Sequence, residues 1–568
     1  MKEKLKNEQG FWMIDHCMKA AIVLFCLLML GTRAEAQRIS DPANDLGGQK
    51  IDTLVLCPMD FQPALTKWLA YRRQQGYQIR VESPAPIAAG IKRQIQIVAA
   101  TQPLKHVLLV GDSADQYALF QQLVATDFVP AQVNVFFGSD QDIATDNTYA
   151  DLDFDGLPEL TIGRIPADSA PQLIQFMDRV IAYETNANRN LWDSLWRRRI
   201  NLVAGVGGLG RVVDAVVEQT VKQMITDLVP AEYQTSMTYG SWSSPYCPDP
   251  RRFSQTTIER FNEGCLFWVY AGHGNRCQLD HVHLPDQSHP ILDKHRARQL
   301  SCTQGSPIAI FLACYTGATD ACQDGLAETM LMRPGGPIAV LCGTRVTMPY
   351  AMSRLSLEMM EEFFEGEAPT LGDLVRVSLR RMADDEGAKA DGDRYRRLIE
   401  EMGKSLSPFP QLLPLERLEH AKLIHLLGDP LLKLARPQQL SIDVNDKVVA
   451  GTNLSVEGEA PSDGELQIEL VYDRDRFLKR PKRRREYESS DFAFRQYDEV
   501  YRQAQQRTVA KINVPVKRGS FEQVIEVPES VSGRCQVRAV VVSPDVFAMG
   551  SSAVRVSRPE AVREARKH

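Results

Sequence analysis

The sequence lacks features that would place it in several broad classes of protein. Its net charge is only −6 over 568 residues, so it shows no basic footprint of a nucleic-acid-binding protein. No second candidate for a transmembrane segment follows the short apolar run at residues 18–36, and no internal repeat is evident. The composition, 44% hydrophobic and 24% charged, is that of a globular protein. We therefore expect several folded domains and no nucleic-acid partner.

Residues 18–36 have the features of a secretory signal peptide. Lys19 follows Met18, the apolar core is too short to span a bilayer, and Ala-Glu-Ala precedes Gln37. We assign residues 1–36 to this signal, and a start at Met18 gives the more conventional form. A retained membrane anchor is the alternative. The pattern predicts an exported protein located in the periplasm, at the outer-membrane surface or outside the cell.

The pattern of strands and helices predicts an α/β protein followed by a β-sandwich. Apolar strand-like runs alternate with amphipathic helices as far as residue 437, which is typical of a mainly parallel sheet flanked by helices. Short alternating strands follow, as in an immunoglobulin-like sandwich. The predicted parts are an N-terminal α/β subdomain (37–198), a catalytic subdomain (199–437), and a sandwich (438–560) with a charged insertion (474–508).

Two buried strand patterns end on reactive side chains. The run from Phe267 leads to His273, and the run from Ile308 leads to Cys314. Ligands and chemistry gather where parallel strands end at their carboxyl side, and the 41 residues between the two positions leave room for a crossover. A thiol beside an imidazole is the minimum for a cysteine nucleophile. We therefore predict a cysteine peptidase with Cys314 as nucleophile and His273 as proton carrier.

Small residues around the two positions favour the same chemistry. Gly272 and Gly274 allow a substrate backbone to approach the imidazole, and the amides of Gly274 and Cys314 together could hold an oxyanion. Cys265 and Cys342, by contrast, lie inside apolar runs, where a thiol is usually an inert small hydrophobe. The alternative is a buried histidine and a structural cysteine with no shared function.

An ordered set of motifs resembles the gingipain-type cysteine peptidases, which have a caspase-like fold. The resemblance covers roughly residues 50–437 and rests on Val110-Gly111-Asp112, Ile162–Pro166, His273-Gly274, Ala313-Cys314, Leu326-Ala327-Glu328, Gly336–Val340, Gly343-Thr344-Arg345 and Leu427–Pro430. It implies that Cys314 and His273 are catalytic and that the Gly274 and Cys314 amides are the oxyanion donors.

The resemblance also has implications for the third catalytic residue and the substrate pocket. The family places a glutamate near the histidine, but the corresponding turn at 204–208 has no acid, which implies a Cys-His dyad. Asp214 is the nearest candidate for the first-pocket aspartate of arginine-cleaving relatives. Thr344 and Arg345, from the motif after a later strand, are further candidates for that pocket.

The C-terminal part is similar to the type IX secretion sortases of this family. The likeness rests on Val471-Tyr472-Asp473, Gly519-Ser520-Phe521, Val527-Pro528 and residues 543–550. It implies protein or peptide substrates among secreted cargo, and contacts with outer-membrane secretion components and an anionic surface glycolipid. A general secreted gingipain-like protease and a catalytically inactive surface binding protein are the alternatives.

Three further motifs have weaker interpretations. Asp151, Asp153, Asp155 and Glu159 alternate around a turn glycine, which predicts either a structural calcium site or a solvated acidic turn. The peptidase chemistry itself requires no cofactor. The run G-x-G-x-x-G at 205–210 is interpreted as a tight turn rather than a dinucleotide site. The basic run 479–485 is interpreted as solvated, or as a contact for the anionic glycolipid or for an acidic partner.

Overall fold

The computed structural model describes residues 50–113, 123–185, 191–206, 223–384, 394–481, 484 and 486–559. The predicted signal, Asp214 and residues 207–210 of the glycine-rich turn lie outside these residues. Within the described ranges, no helix is both long enough and apolar enough to cross a membrane.

The first part of the described chain alternates strands with helices. Its strands are β1 (Thr53–Leu56), β2 (Ile79–Glu82), β3 (His106–Val110), β4 (Asp127–Pro130), β5 (Asp142–Thr145), β6 (Thr161–Ile165), β7 (Arg199–Ala204), β8 (Gln234–Tyr239), β9 (Phe267–Ala271), β10 (His281–His283), β11 (Ser288–Pro290), β12 (Ile308–Leu312), β13 (Ala339–Gly343) and β14 (Ile424–Leu427). Its α-helices are α1 (Thr66–Gln74), α2 (Ala88–Thr101), α3 (Ala170–Thr185), α4 (Phe253–Asn262), α5 (Lys294–Ala297), α6 (Leu326–Leu331), α7 (Pro349–Phe364), α8 (Leu371–Ala383), α9 (Arg394–Leu406) and α10 (Leu413–Leu423).

Ten of these strands form one sheet with the order β2-β1-β3-β6-β14-β13-β12-β9-β7-β8. Neighbours are parallel except for β13 and β14, which are antiparallel. The sheet therefore consists of two parallel halves of five strands that run in opposite directions. This arrangement confirms the predicted α/β class with a mainly parallel sheet. It also means that the carboxyl ends of the two halves lie at opposite edges.

The apolar strand sequences are buried because helices cover both faces of the sheet. Every residue of β3 is buried, and so are four of the five residues of β12. Helix α3 turns Leu173, Phe176, Met177 and Val180 towards the core, and this spacing of three and four residues defines one helix face. Alternate residues of β3 thus enter two separate cores, with Leu108 and Val110 in one and Val107 and Leu109 in the other.

Several motifs of the gingipain resemblance hold the framework together. Asp429 accepts hydrogen bonds from the indole Nε1 of Trp68 (2.6 Å) and the Nη2 of Arg72 (2.7 Å). Arg164 forms a buried ion pair with Asp146 (2.7 Å). A Cβ on Gly163 would lie only 2.6 Å from the Gly428 oxygen, so glycine is needed at this close approach. These residues fix β6 and β14 against the helices, far along the chain from Cys314.

The C-terminal part is a sandwich of two sheets. Its strands are β15 (Gln438–Gln439), β16 (Ile442–Val444), β17 (Lys447–Val449), β18 (Asn453–Ala460), β19 (Gly464–Tyr472), β20 (Thr508–Val516), β21 (Gly519–Glu526), β22 (Gly533–Val542) and β23 (Phe547–Ser557). One sheet has the order β15-β23-β22-β19-β20 with β17 beside β23, and the other is β16-β18-β21. Leu454, Phe521, Ile468 and Val541 from the two sheets share one core. The immunoglobulin-like topology and the domain limits at 198 and 437 stay predictions.

The charged insertion contains a helix that packs against the α/β part. Helix α11 (Asp491–Gln505) begins after Ser490, whose hydroxyl accepts a hydrogen bond from the Ala493 amide (3.1 Å). Phe494 and Tyr497 on one face of α11 belong to the main core. The Tyr501 hydroxyl lies 2.8 Å from the Thr238 hydroxyl on β8. The insertion therefore joins the sandwich to the edge of the central sheet.

The basic run 479–485 differs in part from its interpretation as a solvated segment. The guanidinium of Arg484 lies 3.6 Å from the centre of the Tyr497 ring and donates to the Ser244 oxygen (2.6 Å). Burial lowers the pKa of Arg484. Lys479 and Arg480 are exposed, as expected for such a run, and residues 482, 483 and 485 lie outside the described part of the chain.

Candidate active site

The two predicted catalytic residues follow neighbouring parallel strands. Strand β9 pairs with β12 in a register that ends with Ala271 opposite Leu312. His273 and Cys314 each follow two residues after this last pair. Neighbouring strands lie about 4.8 Å apart. The two segments remain close beyond the strand ends, as shown by the Cys314 oxygen, which lies 3.2 Å from where a Cβ on Gly274 would be. The structure therefore brings the His273 and Cys314 segments together at one edge of the sheet.

The backbone of His273 is held by two hydrogen bonds to its carbonyl oxygen. The Tyr270 hydroxyl donates one (2.7 Å) and the Asp280 amide donates the other (3.1 Å). Gly272 has φ +154°, and a Cβ there would lie 2.7 Å from the Tyr270 hydroxyl oxygen. Glycine is thus required for the turn that carries the histidine. Burial raises the pKa of Tyr270, so this hydroxyl remains a donor at neutral pH.

The thiol of Cys314 is half-buried and contacts Thr347. The Thr347 amide donates to the sulfur (3.3 Å), and the Thr347 hydroxyl lies 3.6 Å from it. The sulfur also lies 3.7 Å from the Thr347 carbonyl oxygen, to which the thiol can donate. We did not predict Thr347 from the sequence. Its signal was available, because Thr347 follows β13 and β13 is the other neighbour of β12.

The residue after Cys314 has a strained backbone. Tyr315 has φ +57°, a region that non-glycine residues enter at a cost of about 1–3 kcal/mol. Its amide donates to the Arg345 oxygen (3.0 Å), and its hydroxyl accepts from the Asp140 amide (3.0 Å). These bonds hold a sharp turn at which the chain changes direction directly after the thiol. Such a turn presents a nucleophile at the end of its strand.

The predicted oxyanion donors lie side by side. Gly274 packs against Ala313, since a Cβ on the glycine would lie 3.0 Å from the alanine Cβ. No acceptor for the amide of Gly274 or of Cys314 is found among the described residues. Both amides thus suit a substrate oxygen, and their role as oxyanion donors stays a prediction.

An acid that the sequence analysis missed lies over the turn where the family glutamate was expected. A Cβ on Gly205 would lie 3.1 Å from the Oδ2 of Asp280. The other carboxylate oxygen of Asp280 accepts from the His281 amide (2.7 Å) and lies 3.5 Å from the His283 Nε2. The carboxylate therefore occupies the space that a side chain at position 205 would enter. Its position after a turn, seven residues beyond His273, gave no recognisable signal.

The three predicted substrate-pocket residues have different outcomes. Asp214 lies outside the described residues. Thr344 is fully buried, and its hydroxyl donates to the Ala144 oxygen (2.8 Å). The Arg345 guanidinium is buried in a two-bond ion pair with Asp320 (3.0 and 2.8 Å). Thr344 and Arg345 thus make interior hydrogen bonds that stabilise the fold. A substrate contact by either residue stays a prediction without structural support.

The buried cysteines contrast with Cys314. All nine cysteines of the described residues are free thiols. Burial raises the pKa of Cys265 and Cys342 well above the ordinary range, which keeps both as unreactive thiols. Cys277 and Cys322 are exposed, whereas Cys314 is half-buried beside polar partners.

Two groups of carboxylates could hold a metal ion. Oxygens of Asp151, Asp153 and Glu159 lie within 4.8 Å of one another, and Asp112, Asp168 and Asp324 form a second such group. In the first group, Asp151 also accepts from the Gly156 amide (3.1 Å). Arg380 binds Glu159 and lies 3.5 Å from Asp155, so it already supplies part of the balancing charge there.

Comparison with known proteins agrees with this arrangement. The chain is 21% identical to gingipain R2 of Porphyromonas gingivalis over 60% of its length, and 23% identical to Lys-gingipain of the same organism over 50%. It spans 43% and 15% of those two proteins, which is less than half of either.

The crystal structure of the Arg-specific cysteine proteinase gingipain R aligns with a TM-score of 0.50 at 17% identity, covering 89% of this chain and 98% of that one. This likeness confirms the gingipain fold. The model of peptidase family C25 matches residues 47–435, which is most of the described chain. The chain therefore belongs to peptidase family C25.

Proposed function

We propose that this chain is an exported cysteine endopeptidase with Cys314 as its nucleophile and His273 as its base. The observation that supports this most strongly is the register of β9 and β12, which brings the two segments together. Membership in family C25 supports the same chemistry. The signal-like segment at residues 18–36 supports export to the periplasm, the outer-membrane surface or the medium.

The proposed reaction proceeds through a thioester. The His273 imidazole takes the Cys314 proton, and the sulfur attacks the peptide carbonyl carbon. The amides of Gly274 and Cys314 hold the resulting oxyanion, each contributing about 3 kcal/mol. The imidazolium then gives its proton to the departing amine as the C–N bond breaks. Water attacks the thioester in the second half of the reaction and releases the acid and the thiol.

The thioester can also be resolved by an amine, which would make the enzyme a sortase. Such an enzyme would cleave a C-terminal signal from secreted cargo and join the new end to an amine on an anionic surface glycolipid, close to outer-membrane secretion components. The support for this role is the sequence likeness of the C-terminal part, from Val471-Tyr472-Asp473 to residues 543–550. A general secreted protease would have the same active site and would use water alone.

A structural calcium ion is proposed at Asp151, Asp153, Asp155 and Glu159. The support is the closeness of the oxygens of Asp151, Asp153 and Glu159 and the turn glycine, Gly156, which has φ +89°. Removal of calcium with a chelator should lower the unfolding temperature of the wild type but not of Asp153→Asn. An equal response of both proteins would reject the site.

The experiment that tests the proposed function compares wild type with Cys314→Ala and with Cys277→Ala, which removes an exposed thiol elsewhere. Casein cleavage is measured with the purified full chain, and exported proteins are analysed by mass spectrometry. Loss of cleavage only in Cys314→Ala supports the peptidase. Cargo that keeps its C-terminal domain in the same variant supports the sortase role, and unchanged cargo supports a general protease. Full cleavage by Cys314→Ala would reject Cys314 as the nucleophile, and no cleavage by wild type would leave the inactive binding protein as the account.

A further inference from the structure

A large cavity separates the sandwich from the edge of the central sheet. Its volume is about 1540 Å³, above the range of roughly 300–1,000 Å³ that holds most small ligands. The segment from β8 to Tyr246 forms one wall, and the ends of β19 and β22 form the other. Six arginines and three aspartates are among its described lining residues.

Three of these arginines converge because their strands are neighbours. Arg538 lies on β22, opposite Glu469 of β19. Arg474 follows β19, and Arg507 immediately precedes β20, which pairs with the other side of β19. The Tyr472 amide donates to the Arg507 oxygen (3.0 Å), which fixes these two chain segments together. The sheet therefore brings three guanidinium groups to one wall of the cavity.

The nearby acids are already engaged by other groups. Glu469 binds Arg198 through both carboxylate oxygens (3.0 and 3.1 Å). Glu232 accepts from the Ser551 hydroxyl (2.8 Å). Asp473 accepts from the Gln536 side chain (3.1 Å) and pairs with Arg534 (3.2 Å). The cavity wall thus carries an excess of positive charge.

The guanidinium groups of Arg507 and Arg538 are incompletely bonded. Arg538 is only 6% exposed, and its Nε has no hydrogen-bond partner among the described residues. The Nε and Nη1 of Arg507 also lack one, and its Nη2 makes a long contact of 3.4 Å with the Tyr246 hydroxyl. A buried donor without an acceptor is unfavourable, so these groups favour a bound anion.

The electrostatics agree with the geometry. Burial, together with neighbouring Arg538 and Arg507, lowers the pKa of Arg474 to about 9. Burial lowers the pKa of Arg538 to about 10 despite Glu469, and Arg198 and Arg507 add to the effect. Mutual repulsion of this kind is relieved when an anion binds between the cations.

We propose that this cavity binds a phosphate ester of a sugar-sized group, held by Arg507 and Arg538 beside Arg474. Guanidinium forks match phosphate oxygens in pairs, and several converging forks suit a tetrahedral anion better than a single planar carboxylate. Trp242, Tyr246, Tyr472 and Phe477 add aromatic surface for the organic part of the ligand. This site is remote from Cys314 in the sequence and does not depend on the peptidase proposal.

The binding test uses glucose 6-phosphate, inorganic phosphate and uncharged glucose as probes for the full chain. Calorimetry should detect glucose 6-phosphate, with weaker binding of inorganic phosphate and none of glucose. Arg507→Met should weaken the binding of glucose 6-phosphate by roughly tenfold or more, since a charge-assisted hydrogen bond is lost. Arg502→Met, which removes an exposed arginine of α11, is the matched control and should bind as wild type does. Equal binding by both variants, or equal binding of glucose, would overturn the proposal.

The unfolding temperature without ligand provides a second test that loss of folding cannot imitate. If Arg507 is a cation that lacks a partner until an anion binds, Arg507→Met should unfold at the same or a higher temperature than wild type. The reason is that its repulsion with Arg474 and Arg538 is removed. A clearly lower temperature would mean that Arg507 is a structural contact and would overturn the proposal.

The source of the phosphate ester is distinguished by vesicles. Flotation with phosphatidylcholine vesicles containing one-fifth phosphatidic acid should retain wild type and not Arg507→Met if the ligand is a lipid headgroup. Binding of glucose 6-phosphate without flotation identifies a free phosphate ester. Failure of both probes to bind would overturn the proposal.

Discussion

At the scale of single residues, the reactivity of a side chain depends on where its strand ends. Cys314 and Cys342 occupy adjacent strands of one sheet, yet Cys342 lies within β13 and Cys314 lies beyond the end of β12. Burial makes the Cys342 thiol unreactive, while the Cys314 thiol contacts the Thr347 amide. The same residue type therefore serves as core filler in one place and as candidate nucleophile in the next.

Alkylation of the native protein should discriminate among these thiols. Iodoacetamide should modify Cys314 within the time that modifies the exposed Cys277, and it should leave Cys265 and Cys342 unmodified because burial raises their pKa. Peptide mapping by mass spectrometry measures the modified fraction at each site. Modification of Cys342 as fast as Cys314 would contradict the assigned burial, and treatment in urea, where all sites should react, is the control.

The sequence predicted the residues of the site that follow recognisable strands. His273 and Cys314 each end an apolar run and could be paired by counting residues. Thr347 was missed because we sought catalytic residues only after the strands that lead to His273 and Cys314, and Thr347 follows a third strand, β13. Asp280 was missed because it lies in a short turn with no periodic pattern. Thr344 was proposed for the substrate pocket because it belongs to a family motif, but its hydroxyl donates to a carbonyl oxygen in the protein interior.

At the scale of elements, helix α10 supports the loop that contacts the thiol. The Met348 amide donates to the Nε2 of His420 (2.7 Å), and the His420 Nδ1 lies 2.7 Å from the backbone carbonyl oxygen of Glu416. These partners require a neutral ring, with a proton on Nδ1 and none on Nε2. Burial lowers the pKa of His420 to about 4. Protonation would replace the acceptor with a donor and break the bond to the loop.

The stability contributed by neutral His420 should be lost in acid. Its pKa is lower in the folded state (about 4) than in the unfolded state (6.5), so the unfolded state binds more protons between these values. The contribution is complete above pH 6.5 and falls by up to about 3 kcal/mol as the pH drops towards 4. Urea unfolding of wild type and His420→Gln across this range measures it as a difference.

The comparison with the variant is needed because Glu416 acts in the opposite direction. Burial raises its pKa to about 7, so the stability that depends on its neutral form is lost as the pH rises from about 4.5 to 7. Both proteins contain Glu416, and its effect largely cancels in the difference. A difference that stays constant from pH 7 to pH 4 would contradict the assigned state of His420.

Most elements of the α/β part followed from periodicity. The apolar run His106–Val110 forms β3, and the amphipathic run from Leu173 to Val180 lies within α3 (Ala170–Thr185). The helix of the charged insertion, α11, was not predicted, because we described that segment only by its composition and did not examine the spacing of its aromatic residues. The packing of Phe494 and Tyr497 on a distant part of the chain is a tertiary contact, which local patterns do not contain.

At the scale of the whole molecule, a buried charged network links the start and the end of the α/β part. Arg72 of α1 binds Asp429 (2.7 Å) and Glu184 (2.8 Å), and these side chains are almost completely buried. The Trp68 indole adds a hydrogen bond to Asp429. The Gly428-Asp429 motif was recognised in the sequence, but its partner could not be, since 357 residues separate Arg72 from Asp429.

Removal of one member of this network should be costly. Arg72→Met leaves two buried carboxylates without their cation, and such a change typically lowers the free energy of unfolding by about 3–5 kcal/mol. The matched control is Lys67→Met on the same helix, because Lys67 pairs with Asp178 at 69% and 46% exposure. That change should cost no more than about 1 kcal/mol. Urea unfolding measures both, and equal losses would contradict a buried network.

The meeting of two parallel half-sheets also determines where the chemistry can occur. Because β13 and β14 are antiparallel, the ends of β9 and β12 open on a different edge from the ends of β3 and β6. The glycine and aspartate motifs after β3 and β14 therefore belong to the framework edge. The central claim concerns the other edge, where the imidazole and the thiol must be close enough to exchange a proton.

The most direct test of that claim is the rate at which iodoacetamide modifies Cys314, followed by mass spectrometry in wild type, His273→Ala and His283→Ala. His283 lies nearby with 65% of its side chain exposed and serves as the control. If His273 takes the thiol proton, its removal should slow modification of Cys314 by roughly tenfold or more at pH 6, while His283→Ala reacts as wild type does. Equal rates in wild type and His273→Ala would contradict the claim.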